Sequence, residues 1–425
     1  MNLVSKLYLL LVFGVIYAPD FGAIDMKASQ WLFLSSINLV YLIIITLKIK
    51  KNQFQLVYKN PIFLSFLFFF FACIISVVSS FNYYLSIERL TDIFSILTTL
   101  GCMIYIAKSS SVSIKFILTI ITIGLFLEVL GSLNILRQVY DPNTFNLSKS
   151  NDLRGFYGNK NITAAAIAFK IPLATILIYK LKNIIVKSLI YILLISSFFI
   201  LLILSARAVF LSITLCIGFL LLMILIKIFY NKENIFALIK NIHFYVIPIL
   251  ISIILYSPIA KNSESVSLNS RITSVIENEN DESTTQRLRF YTHAIKQIQL
   301  TPFLGVGIGN WKAKSIEYEA EYMYSYIVPF FTHNDLLEVF VETGILGIIS
   351  YLIFIYLIFR LTFTNIKLSL NKSDEFKLVY LFLPFIVYFV DMNLNFPLDR
   401  PAMQILLIFY IIILMKYTDN NNAEI

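Results

Sequence analysis

Residues 187–229 read KSLIYILLISSFFILLILSARAVFLSITLCIGFLLLMILIKIF. Two apolar runs, 187–205 and 209–229, are each long enough to cross about 30 Å of hydrocarbon, which takes about 20 helical residues. Almost no loop separates them, so the stretch folds as a transmembrane hairpin with Ser205-Ala206-Arg207 as its turn. A charge is costly at the bilayer centre, which puts Arg207 at the membrane–water boundary. Similar runs lie near 3–19, 31–47, 61–80, 90–107, 112–132 and 162–179, and again near 243–258, 337–363, 377–393 and 402–417. The whole chain agrees: 425 residues, 58% hydrophobic, 14% charged, mean hydropathy +0.80. Soluble domains hold about 25% charged and 45–50% apolar residues. The sequence predicts an all-α polytopic membrane protein of about twelve transmembrane helices and excludes a soluble fold.

An even number of spans puts both termini on one side. With both termini cytoplasmic, the inner segments collect most lysines, such as Lys48, Lys50, Lys51, Lys59, Lys180, Lys182 and Lys187, as the positive-inside rule asks. The net charge of +9 is thereby read as orientation, with no nucleic-acid partner. The division expected is 1–258 for the first nine helices, 259–333 for one long extracytoplasmic loop, and 334–425 for the last three, together one functional membrane domain. The run Leu7–Ala18 lacks a small-residue cleavage site and reads as a retained helix. Cys73, Cys102 and Cys216 all lie in apolar runs, so neither a disulfide framework nor a thiolate metal site is expected.

Arginine departs from the lysine pattern. Of nine arginines, every one except Arg360 falls on the outer side of this map: Arg89, Arg137, Arg154, Arg207, Arg271, Arg287, Arg289 and Arg400. Some are expected to pair with outer-face acids such as Glu277 or Asp399. As a set they point to an anionic ligand at the outer surface, because guanidinium grips phosphate or carboxylate through a planar fork. Glycine is concentrated in the same region, at Gly155 and Gly158 and then from Gly305 to Gly347. Gly305-Val306-Gly307-Ile308-Gly309-Asn310-Trp311 follows no strand and opens no βαβ unit, so it reads as a tight outer turn with an interfacial tryptophan rather than a nucleotide loop.

Three histidines exist. His243 is expected at the interface and His293 on a solvated face of a loop helix opening after Ser283. His333 ends the long loop and opens a helix in PFFTHNDLLEVFVETGILG. A helix N-terminus disfavours an added proton, so His333 reads either as a neutral general base or as a packed residue of a capping segment. Asp335, Glu338 and Glu342 follow on one helical face, where carboxylates normally pair or line a site. One nearby histidine without H-E-x-x-H spacing argues against metal. Lys170 lies mid-span and either snorkels or lines a polar cavity.

Together these motifs resemble the O-antigen ligase and polymerase superfamily of bacterial envelope glycosyltransferases. His333-Asn334, nine residues, then Gly344-Ile345-Leu346-Gly347 carries the resemblance best. Gln286-Arg287-Leu288 followed by Pro302-Phe303-Leu304-Gly305-Val306-Gly307 resembles the family's arginine helix and P-x-x-G-x-G turn. The segment from Arg154 to Asn161, the Ser205-Ala206-Arg207 turn and Asn395-Phe396-Pro397-Leu398 match in order, although Lys160 stands where the family often has proline. The resemblance implies a GT-C-like, inverting, metal-independent transferase without cofactor, using a polyprenyl-diphosphate-linked glycan as donor. On it, Arg207 and Arg287 hold the diphosphate and His333 orients or deprotonates the acceptor hydroxyl. Arg154, Asn161, Lys170, Arg289, Asn334, Glu338 and Arg400 are expected to bind substrate, with a swap between Arg287 and Arg289 left open.

The acceptor is lipid A core for a ligase, another lipid-linked repeat for a polymerase, or a Ser or Thr hydroxyl for a protein O-oligosaccharyltransferase. The single loop before His333 tilts the reading to a ligase in the bacterial inner membrane, its site facing the periplasm among membrane lipids. From another class stands a lipid-linked glycan flippase or transporter, against which count the missing repeat symmetry and the one-sided motifs.

Overall fold

The computed structural model describes residues 2–19, 21–22, 26–48, 51–109, 112–139, 152–231, 235–261, 282–322, 331–371 and 373–422. Arg271 and Glu277 lie outside them. Fifteen α-helices run through the described residues, and no strand is found among them. Eleven helices are long and apolar enough to cross a membrane, from Lys27–Leu47 to Pro401–Asp419. They match eleven of the twelve runs read from sequence. The first run is shorter: α1 (Asn2–Gly14) and the 3-10 turn Val15–Tyr17 end before Pro19. At 1.5 Å per residue they span about 24 Å, less than the hydrocarbon thickness.

Local chemistry explains where the helices begin. Asn60 accepts from the N–H groups of Ile62 and Phe63 ahead of α4 (Pro61–Ser76), whose first residue is the proline a helix tolerates there. Asn159 and Asn183 cap α7 (Lys160–Lys180) and α8 (Ile184–Leu204) in the same way. Ser205, at φ +51, closes α8 in the left-handed region, and α9 (Arg207–Asn231) starts two residues later. Leu211, Leu215 and Leu222 are exposed on α9, as expected of a lipid-facing helix.

The chain divides into two compact units. The first holds Met1–Val112, Asn280–Arg360 and Met392–Ile412; the second holds Ser113–Glu279, Leu361–Asp391 and Ile413–Ile425. In the first, α2 (Met26–Lys48) and α5 (Tyr83–Ser109) are joined by a polar clasp. Asn38 accepts from the Tyr8 hydroxyl at 2.7 Å and donates to Thr99 Oγ1 at 2.8 Å. Such contacts hold helices together where lipid supplies no hydrophobic drive. In the second unit α7 is buried nearly all round, and the small residues Ala164, Ala165, Ala166 and Ala168 let its neighbours approach.

Candidate functional site

Helix α13 (Asp335–Asn371; α3 is Lys51–Tyr58, α6 Ile114–Val139, α10 Ile235–Lys261, α11 Glu282–Leu300 and α12 Trp311–Glu319) opens on a network of caps. Asn334 Oδ1 accepts from the N–H groups of Leu336 and Leu337 at 3.0 and 3.1 Å, while its Nδ2 donates to the Asn393 carbonyl at 3.3 Å. Glu338 reaches back to accept from the Thr332 N–H at 3.0 Å and the Thr332 hydroxyl at 3.3 Å. Asp335 accepts from the Leu398 N–H at 3.0 Å. Asn334, expected at substrate, thus caps the helix that presents His333.

His333 is held at φ +58, a left-handed conformation that histidine adopts more readily than branched residues do. Its carbonyl accepts from the Tyr291 hydroxyl at 3.2 Å. The imidazole lies parallel to Phe290, centroids 6.1 Å apart, and edge-on to Phe396 at 5.1 Å. Nδ1 is buried with no hydrogen-bond partner among the described residues. Burial first, then the positive charges of Arg287 and Arg400, lower the imidazole pKa to about 4. His333 is therefore uncharged at neutral pH in the free protein.

Arg400 places its guanidinium 4.8 Å from the centre of the Phe396 ring. Arg287 and Arg400 are the charges His333 feels, which brings three of the expected residues into one neighbourhood of the first unit. Arg289, two residues from Arg287, is engaged otherwise. Its Nε and Nη2 donate to Glu319 at 3.0 and 2.8 Å, and it lies 4.2 Å from the Tyr322 ring centre. His293, expected on a solvated face, is instead buried, with Nδ1 2.9 Å from Glu319 and its ring against Tyr318. Burial lowers its pKa, against the pull of Glu319. The acid on α12 draws both side chains inward, so this face of α11 packs rather than dissolves.

The glycine motifs have a backbone explanation. Gly344 breaks α13 at φ +64, ψ −162, a region open essentially to glycine alone. Ile345 N–H donates to the Pro302 carbonyl at 2.9 Å instead of to its own helix. The Val341 and Glu342 carbonyls accept from Val306 and Gly307 N–H, both at 2.9 Å. The turn after Pro302 thus repairs the hydrogen bonds the kink opens. A Cβ on Gly344 would lie 2.1 Å from the Phe303 carbonyl oxygen. Trp311 is not interfacial as the sequence suggested: it is 2% exposed, its backbone N–H donates to Glu342, and it packs with Ala294, Val306 and Val341. Gly344→Ala is expected to cost at least the 1–3 kcal/mol of a forbidden backbone conformation. A thermal melt in detergent unchanged by the substitution would contradict this account.

The second unit holds the remaining expected residues. Arg207 is the first residue of α9 and half-buried; Arg154 is exposed, and its carbonyl accepts from the Thr163 hydroxyl. Asn161 lies in the first turn of α7, its N–H bonded to the capping Asn159. Lys170 differs from the expected polar-cavity residue. It is completely buried, and its ammonium donates to Glu128 and to Tyr157, the latter at 2.9 Å. A lone charge at this depth is costly, and Glu128 supplies the partner. Tyr157 also donates to Glu128, which anchors the Gly155–Tyr157 turn after Arg154.

Among the described residues no group of three or more His, Cys, Asp or Glu is placed to hold a metal ion. Sequence reasoning missed Phe290, Tyr291 and Phe396. A signal was present for two of them: Tyr291 lies one helical turn after Arg287, and Phe396 sits within the Asn395–Leu398 motif.

Residues 190–352 match a protein-family model described as O-antigen ligase. The matched stretch contains Arg207, Arg287, Arg289, His333, Asn334 and Glu338; Arg154, Asn161, Lys170 and Arg400 lie outside it. No curated protein matches the chain. The match supports the O-antigen ligase and polymerase superfamily, and with it ligase- or polymerase-type activity on lipid-linked glycans in general.

Proposed function

From an O-antigen ligase segment over 190–352, we propose that the protein transfers a glycan from a polyprenyl-diphosphate carrier to an acceptor hydroxyl at the outer face of a bacterial inner membrane, with lipid A core as the acceptor. The observation that carries the reading is a neutral, buried imidazole at His333 with Arg287 and Arg400 as its charged neighbours. The acceptor oxygen attacks the anomeric carbon, the bond to the diphosphate oxygen breaks with inversion, and its electron pair stays on the diphosphate. The acceptor proton passes to the His333 imidazole. Arg287 and Arg400 stabilise the leaving diphosphate. Arg289 stabilises the α11–α12 pair through Glu319 rather than serving the donor.

A weak base in the free protein becomes stronger once donor binds. Two arginines lower the imidazole pKa, and a bound diphosphate offsets their field, so donor binding raises it towards the range where proton transfer is efficient. Deleting the gene and profiling envelope glycans tests the acceptor. Undecorated core with polymer left on its lipid carrier supports ligation; a single repeat on core means polymerisation, and undersupplied protein glycan means protein transfer. Carrier accumulating on the cytoplasmic side would instead mean a flippase.

Orientation has its own test. The native cysteines are buried, so an impermeant thiol reagent reports introduced cysteines cleanly. Ser263→Cys is expected to label in intact spheroplasts and Asn52→Cys to stay silent; the reverse result overturns the outer-face site.

A further inference from the structure

Beside the His333 segment, within the first unit, lies a cavity of about 450 Å³, in the range that holds small ligands. Each of its cations lies near an acid, although Arg89 Nη1 makes no hydrogen bond among the described residues. Lys27 lies 2.6 Å from Asp399, Arg89 3.3 Å from Asp399 and 3.7 Å from Asp92, and Lys312 3.1 Å from Glu88. Glu338 and Glu342 add two further carboxylates to the wall, their bonds given by the Thr332 and Trp311 N–H groups. Five acids against three bases make the wall rich in carboxyl oxygens. Two aromatic side chains, Trp31 and Phe331, complete the lining.

We infer that this cavity seats an uncharged sugar ring of the hydroxyl acceptor. Carboxyl oxygens accept hydrogen bonds from ring hydroxyls, and the Trp31 ring is left to cover the apolar face of a pyranose, since Phe331 already meets Phe396 and the Lys27 ammonium. Position assigns the sugar to the acceptor. Phe331 stacks on Phe396 at 4.3 Å, and Phe396 in turn contacts His333 and Arg400. The Phe331–Phe396 pair thus links the acid-rich cavity to the cationic neighbourhood of His333, where the diphosphate is placed, and the cavity is left to the polyhydroxyl acceptor. Phe331 is also two residues from His333, which places the rim of the cavity beside the proposed base. The inference rests on the transfer reading above.

The test uses purified full-length protein in nanodiscs. Saturation-transfer NMR with methyl glycosides of hexoses and N-acetylhexosamines is expected to give signal for the native protein. Ala28→Trp should lose it, since Ala28 lines the cavity and a larger side chain fills it without removing any packing partner. Trp31→Leu keeps apolar bulk but not the ring face, and should also weaken the signal. Inorganic pyrophosphate should not displace the glycosides. In transfer assays Ala28→Trp should raise the acceptor KM at least tenfold and leave the donor KM unchanged. No glycoside signal in native protein, an unchanged signal in folded Ala28→Trp, displacement by pyrophosphate, or a raised donor KM would each overturn the inference. Native protein that binds glycosides but transfers nothing would overturn the transfer reading instead, leaving a sugar site.

Discussion

His333→Ala is expected to lose transfer by about 10²–10⁴-fold, the usual contribution of a positioned proton acceptor, while donor affinity changes little because the arginines remain. The backbone supplies a better control than alanine alone. Since His333 sits at φ +58, His333→Asn keeps a residue that tolerates the left-handed region and a hydrogen-bonding side chain, but removes the proton acceptor. Comparable loss in Asn and Ala variants with intact melts identifies proton transfer. Near-native activity in the Asn variant would reduce His333 to positioning, and native activity in the Ala variant would end the assignment.

The pH profile carries the same argument further. The base form is needed, so activity falls as pH drops through the imidazole pKa. In the free protein that limb should lie near pH 4, and it appears in kcat/KM. With donor bound, the diphosphate offsets Arg287 and Arg400, and the acid limb of kcat should lie at higher pH. Coincident limbs would mean that the diphosphate does not share the field of His333.

The helices were legible because length and hydropathy alone decide whether a segment crosses a bilayer, and eleven runs fell where expected. Gly344 was legible as a motif but not as a kink, since apolar sequence continues on both sides of it. The burial of Trp311 and His293 was hidden for a related reason. Both are drawn inward by residues distant in sequence, Glu342 and Glu319, whose pairing no local pattern encodes. Asp399 was expected to meet an outer arginine, and Arg89 does so. The Lys170 ion pair was not legible because its partner Glu128 lies on another helix. The cavity beside Phe331 draws its walls from five separated stretches, so only the tertiary fold brings it together.

Arg287→Lys is expected to impair transfer nearly as badly as Arg287→Ala. Lysine keeps the charge but presents a point donor in place of the planar fork, and loss of a bidentate charged contact typically costs several kcal/mol, on the order of 10²-fold or more in rate. The two variants should nevertheless differ in one respect. Arg287 also lowers the His333 pKa, an effect of charge at a distance rather than of geometry. Lysine should leave the acid limb of kcat/KM where it was, whereas alanine should move it to higher pH. Equal loss of rate with unequal limbs separates the grip on the diphosphate from the field at the imidazole. A fully active Lys variant would reduce Arg287 to generic charge, and an unmoved limb in the Ala variant would leave Arg400 and burial to hold His333 neutral.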